Sequence, residues 1–181
     1  MTIQLRAADL LFIHHHSLDA LSDPFATAIV KATGPYVHVA LAMNDATIIH
    51  ATPEAGVVLQ DLASFLSERK QADVYRLADI SSQAVIAQAR KYLGRPYNSS
   101  FYPEDKGFYC SQLVLAAFAD QIKLPEVAMS FGDGKQPISA YWQRYFDRLG
   151  LPVPLGQVGS NPDHLSTFPK LSYIGTLSDD D

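Results

Sequence analysis

Apolar residues recur along this chain in two rhythms, one of period about two and one of period about 3.6, and the switches between them mark its elements. Leu10-Leu11-Phe12-Ile13, between Asp9 and His14, is a short continuous apolar run that predicts a buried strand. Asp23-Pro24 opens a helix, the carboxylate placed to cap and the proline suited to the first turn. Phe25, Ala28, Ile29 and Ala32 line one face, and Gly34-Pro35 ends it. Residues 37–43 and 47–51 are β-rich runs on either side of Asn44-Asp45, which is turn chemistry, so a hairpin is expected. Residues 56–59 and 73–77 read as further strands, with a short helix between them at 61–69. Ser81 or Ser82 caps a helix whose apolar face is Val85, Ile86, Ala89 and Leu93, stopped by Gly94-Arg95-Pro96.

From 96 to 109 the chain reads as a loop rich in Tyr, Phe, Ser, Asn and Gly, after which Cys110, Leu113, Val114, Ala117 and Phe118 take up helical spacing. A last helix carries Ile138, Tyr141, Trp142, Tyr145, Phe146 and Leu149. The tail beyond Leu151 is rich in Pro and Gly, with a short element at 163–168 and three terminal aspartates expected to fray. No repeat or low-complexity linker divides the chain, so one α+β domain over residues 1–181 is expected.

Composition narrows the function. Of 181 residues, 48% are hydrophobic, enough to bury one sizeable core. A formal net charge of -5 gives no basic excess for phosphates, which argues against nucleic acid and anionic membranes as partners. Nowhere do about 18 apolar residues run together, so no transmembrane helix is expected. Residues 1–9 lack the basic and apolar regions of a signal peptide, and a cytoplasmic location follows as an expectation. There a lone thiol stays reduced.

That thiol is Cys110, the only cysteine. It has no intramolecular disulfide partner and no cysteine cluster to join, which leaves packing or reactivity. Its register with Leu113, Val114 and Ala117 suits a core thiol. Its place at a helix start also suits a nucleophile, because first-turn N–H groups and the helix dipole favour a thiolate and can hold an oxyanion.

Histidine supplies the partners. His38 interrupts the apolar strand Tyr36-Val37-His38-Val39-Ala40-Leu41, and His50 lies in Ile48-Ile49-His50-Ala51-Thr52. If Ala42 pairs with Ala46, His38 lies directly opposite His50 and the rings share a face. If Met43 pairs with Ala46, the one-residue slip sends them to opposite faces. In the first register His38 serves as base to Cys110 and His50 orients its ring.

These elements, in this order, resemble the permuted NlpC/P60 papain-like proteins of the YiiX/YaeF type and, more distantly, lecithin retinol acyltransferase. Ala8-Asp9-Leu10-Leu11-Phe12 is similar to the family's opening Gly-Asp-Leu strand, with Ala8 in place of the glycine. Tyr36-Val37-His38-Val39-Ala40 is similar to its Ser-His-Val-Gly segment, with Val37 and Ala40 as departures. Gly94-Arg95-Pro96-Tyr97, then Phe101 and Tyr109-Cys110-Ser111-Gln112-Leu113-Val114, resemble its nucleophile region. Both histidines precede the cysteine, as the permuted order requires.

The resemblance implies a circularly permuted papain-like fold with an antiparallel sheet packed against helices. It also implies Cys110 as nucleophile, His38 as base and His50 as the orienting residue, a position where relatives often carry glutamate. Tyr97 and Tyr36 are the candidate substrate contacts, Tyr97 through its hydroxyl or by packing alone. The implied activity is a cysteine amidase or peptidase acting through a thioester on a peptide, an amino-acid amide or a related amide. A lipid acyltransferase or thioesterase on the same fold, and a peptide- or lipid-binding module without catalysis, are the alternatives. No metal or other cofactor is expected: His14-His15-His16 lacks further ligands at zinc-binding spacing, and Gly132-Asp133-Gly134-Lys135 lacks the spacing of a phosphate loop.

Overall fold

The computed structural model describes residues 3–15 and 23–179. In chain order the elements are β1 (Leu10–His14), α1 (Pro24–Thr33), β2 (Tyr36–Ala42), β3 (Thr47–Thr52), β4 (Gly56–Asp61), α2 (Leu62–Arg69) and β5 (Gln71–Leu77). There follow α3 (Ser82–Arg90), α4 (Cys110–Phe118), β6 (Val127–Ala128), α5 (Ala140–Leu149), β7 (Val158–Gly159), α6 (Pro162–Ser166) and β8 (Leu171–Ser178). Helix starts obey their caps. Asp23 accepts from the N–H groups of Phe25 and Ala26 at 3.0 and 3.1 Å, Asp61 from Ser64, Ser81 from Ala84 and Ser139 from Trp142.

Six strands form one antiparallel sheet in the order β4-β3-β2-β1-β5-β8. Central β1 is buried on both faces, which is why its sequence is a continuous apolar run rather than an alternating one. Leu10 and Phe12 pack with Val39, Leu41 and Ile49 against α3, α4 and α6. Leu11 and Ile13 pack on the other face with Ala40, Ile48 and Phe65, against α1 and α2. Each such leucine or phenylalanine contributes roughly 1.5–3 kcal/mol by leaving water. A third, aromatic cluster of Phe101, Tyr109, Phe131, Trp142 and Phe146 fastens α5 to the loop before α4.

Three sequence expectations change. In the hairpin, Ala42 pairs with Ile48 and Leu41 with Ile49, so Ala42 does not meet Ala46. The turn is longer because Asn44 bonds the Ala46 N–H at 2.8 Å and the Ala46 carbonyl accepts from Leu62, which removes Ala46 from the ladder. Strand β8 had no counterpart in the sequence reading. It is an edge strand with most side chains exposed, and a bulge opposite Val74/Tyr75 together with Gly175 at φ 145° breaks its alternation. Helix α5 begins at Ala140, and Ile138 instead bridges Phe131. Of the three adjacent histidines, His14 ends β1, His15 follows it, and His16 lies outside the described residues.

Candidate active site

Cys110 is the first residue of α4 and is 8% exposed. The helix start is held by Gln112, whose side-chain oxygen accepts from the Tyr109 N–H at 3.2 Å and from Asn98 at 3.1 Å. Ser111 next to the thiol bonds Ser160 at 2.9 Å, and the Tyr109 hydroxyl accepts from the Ser160 N–H at 3.1 Å. These bonds tie the start of α4 to the chain just before α6.

Residue His38 owes its aim to an irregularity. Opposite β1, Ile13 faces His38 and His14 faces Tyr36, so Val37 is extra. That bulge breaks the alternation of β2, and consecutive Val37 and His38 both line one cavity. The β2–β3 pairs are confined to the turn end of the hairpin, so the two strands part towards His38 and Thr52. Into this opening comes the N-terminus of α4, where the N–H of Val39 acts on the Cys110 sulfur.

The shift of two residues in the hairpin preserves strand parity, so His38 and His50 share a face, as diagonal rather than directly opposed neighbours. His38 Nε2 lies 3.0 Å from His50 Nδ1, and the rings meet edge to face. Phe65 packs on both. Burial, then the second imidazole and the positive charge of Arg69, hold the His38 pKa well below the usual histidine value. Burial and then Arg69 lower His50 to about 4. Both rings are therefore neutral at pH 7.

The cavity, about 310 Å³, is shared by Cys110 and His38. Among the described residues no hydrogen bond joins the sulfur to either imidazole. Burial pushes the thiol up to about 11, opposed only in part by the N–H groups of Val39, Ser111 and Cys110 itself. The helix start therefore does not make a resting thiolate here, contrary to the expectation from position alone: desolvation outweighs the local dipoles.

The other predicted contacts divide. Tyr97 lines the cavity beside Cys110, half-buried, and among the described residues no hydrogen bond engages its hydroxyl. Tyr36 lies outside the lining: the bulge turns it away, with its hydroxyl on Asp73 at 2.5 Å and its ring 5.4 Å from Phe12. His50 stands behind His38, 3% exposed, and does not line the cavity. Two cavity residues carry features that the sequence does not signal. Arg69 looked like an ordinary basic end to a helix. Phe101 has φ 58°, a conformation bulky residues avoid, and nothing in its sequence context announces it.

A thiol at a helix N-terminus, with paired histidines on antiparallel strands earlier in the chain, defines a permuted papain-like protein. Residues 4–143 match the family described as permuted papain-like amidase enzyme, YaeF/YiiX, C92 family, and the chain belongs to that family. The crystal structure of YiiX from Escherichia coli O157:H7, described as a metalloprotein, is similar over 97% of this chain and 99% of that one, with TM-score 0.79 and 21% identity. No curated protein matches the chain. Among the described residues no three His, Cys, Asp or Glu side chains converge as metal ligands. No helix among them is long and apolar enough to cross a membrane.

Proposed function

We propose that the protein is a cysteine amide hydrolase in which Cys110 is the nucleophile, His38 the proton-transfer group and His50 its positioning residue. The observation that carries this reading is the shared cavity: Cys110 at the start of α4 and His38, its Nε2 occupied by His50, open on the same space. With Nε2 donating to His50 Nδ1, the lone pair of His38 lies on Nδ1, the nitrogen left to receive the thiol proton.

Because both groups rest neutral, the proton moves as the bond forms. Substrate binding brings Sγ and Nδ1 within reach, since such contacts often tighten only in the complex. Sγ attacks the carbonyl carbon while His38 takes the thiol proton. The oxyanion is held by N–H groups at the start of α4 and by that of Val39. The C–N bond then breaks, His38 delivers the proton to the departing amine, and a thioester remains on Cys110. Water, deprotonated by His38, releases the acid and restores the thiol. Tyr97 contacts the acyl carbonyl through its free hydroxyl.

A second reading follows from the lining. Phe25, Ile29, Phe101, Met129 and Trp142 make the wall largely apolar, which suits a lipid acyl group, and transfer of that group to another nucleophile uses the same thioester. The test is mass spectrometry of the protein after incubation with acyl amides. A mass increase by one acyl group, lost in Cys110→Ala and accumulating in a variant slow to hydrolyse it, is expected. Turnover unchanged in purified Cys110→Ala removes the mechanism.

A further inference from the structure

The cavity wall carries a cation that this chemistry leaves unused. Arg69 closes α2 and lines the same space as Cys110 and His38. Its Nε is fully buried, and among the described residues it meets no hydrogen-bond acceptor and no ion pair engages the side chain. Its charge is felt by both imidazoles and by the thiol, so it stands close to the reacting groups. A buried guanidinium N–H without an acceptor is unfavourable, and an entering acceptor relieves it.

From this we infer that Arg69 recognises a carboxylate on the substrate, so that the preferred amides are N-acyl amino acids whose acyl group lies against the aromatic wall. The substrate role rests on the amidase reading above. A guanidinium offers a planar fork that matches a carboxylate with two parallel bonds. Among the described residues Arg69 is the only Lys or Arg in the lining, while Asp23 and Glu54 share it. Asp23 already accepts from the N–H groups of Phe25 and Ala26, and Glu54 offsets the guanidinium, so the lining has no excess positive charge and a singly charged carboxylate meets less repulsion there than a doubly charged phosphate. The opposite end of the ligand is met by Phe25, Ile29, Phe101 and Trp142, which favour an apolar chain.

Binding separates this proposal from catalysis. Calorimetric titration of Cys110→Ala protein with N-octanoylglycine and with N-octanoylglycinamide compares one carboxylate with its neutral twin. The carboxylate is expected to bind about 10- to 100-fold more tightly, the contribution of charge-assisted bonds. Adding Arg69→Met, which keeps the apolar stem, closes that gap and leaves the amide's affinity within about two-fold, whereas Arg69→Lys retains part of it. Melting curves show that each variant is folded, and the lysine variant carries the comparison if the methionine variant is not. Equal affinities in the parent, a gap that survives Arg69→Met, or no binding of either ligand overturns the inference. If the carboxylate is selected but the wild-type protein hydrolyses neither compound, the amidase reading fails and Arg69 stands as a binding residue.

Discussion

The titration of Cys110 is the sharpest consequence of the site. Burial lifts the thiol from an ordinary value near 9 to about 11. Two units correspond to about 100-fold less thiolate at any pH below 9. Alkylation follows the thiolate, so iodoacetamide should label the resting protein about 100-fold more slowly than an unperturbed thiol. As the only cysteine, Cys110 reports alone, and the mass shift of the intact chain measures the rate. Measured from about pH 6 to 11, the logarithm of the rate should climb steadily, with no plateau before the upper end. His38→Ala should leave this profile nearly in place, because no hydrogen bond joins the ring to the resting sulfur. A plateau below pH 8 that disappears in His38→Ala would reveal a resting thiolate–imidazolium pair and refute the neutral-pair argument.

Three other substitutions probe the frame around the site. Asp9, 1% exposed, is held by Arg76 at 2.6 and 2.7 Å, so Arg76→Met strands a buried carboxylate; it should cost about 3 kcal/mol and lower the melting temperature by about 6–12 °C, and a shift under 2 °C would contradict this. His50, lowered to about 4 in the fold, favours the folded state above its unfolded pKa near 6.5. That contribution drains away as the pH falls from about 6.5 to about 4, reaching a loss of about 2 kcal/mol by pH 5, and His50→Gln should flatten the decline in melts at pH 7 and 5; parallel declines would count against it. Phe101 sits at φ 58°, so Phe101→Gly should destabilise less than Phe101→Ala by about 1 kcal/mol in denaturant unfolding, reversing the usual order of the two residues.

Much of this arrangement was legible because local chemistry and burial agreed. Asp23-Pro24, Asp61 and Ser81 start helices as their side chains dictate, and the apolar run from Leu10 to Ile13 could only be a strand covered on both sides. The resemblance singled out Cys110, His38 and His50, of which the first two line one cavity and the last two share a hydrogen bond, and Ala8, standing where the family has glycine, adopts the left-handed φ of 70° that explains the glycine. What escaped was set by distant contacts. Ala46 leaves the hairpin ladder because Leu62 binds its carbonyl, Tyr36 turns away because β1 skips Val37, and β8 takes its place by pairing with β5 rather than by any rhythm of its own. The thiol's acidity escaped for the same reason: position at a helix start is readable, but the desolvation that outweighs it comes from residues far along the chain.

The site is assembled from interruptions of regular structure, and the physics requires it. An unbroken ladder or helix satisfies its own N–H and C=O groups and leaves nothing to offer a substrate. Here the bulge at Val37 aims His38, the parting of β2 and β3 lets the Val39 N–H reach the sulfur, the first turn of α4 exposes further donors, and Phe101 holds a strained backbone in the wall. Each departure carries a cost that the surrounding packing offsets: Phe12 against the sheet, Phe65 against both histidines, and the Phe101–Trp142–Phe146 cluster beneath the loop. The hairpin's two-residue shift is instructive in this light. It changed every pair in the ladder yet kept both histidines on one face, because side chains alternate with period two and a shift of two residues preserves that parity. A one-residue slip would part the rings and cost them the hydrogen bond between them in a buried setting.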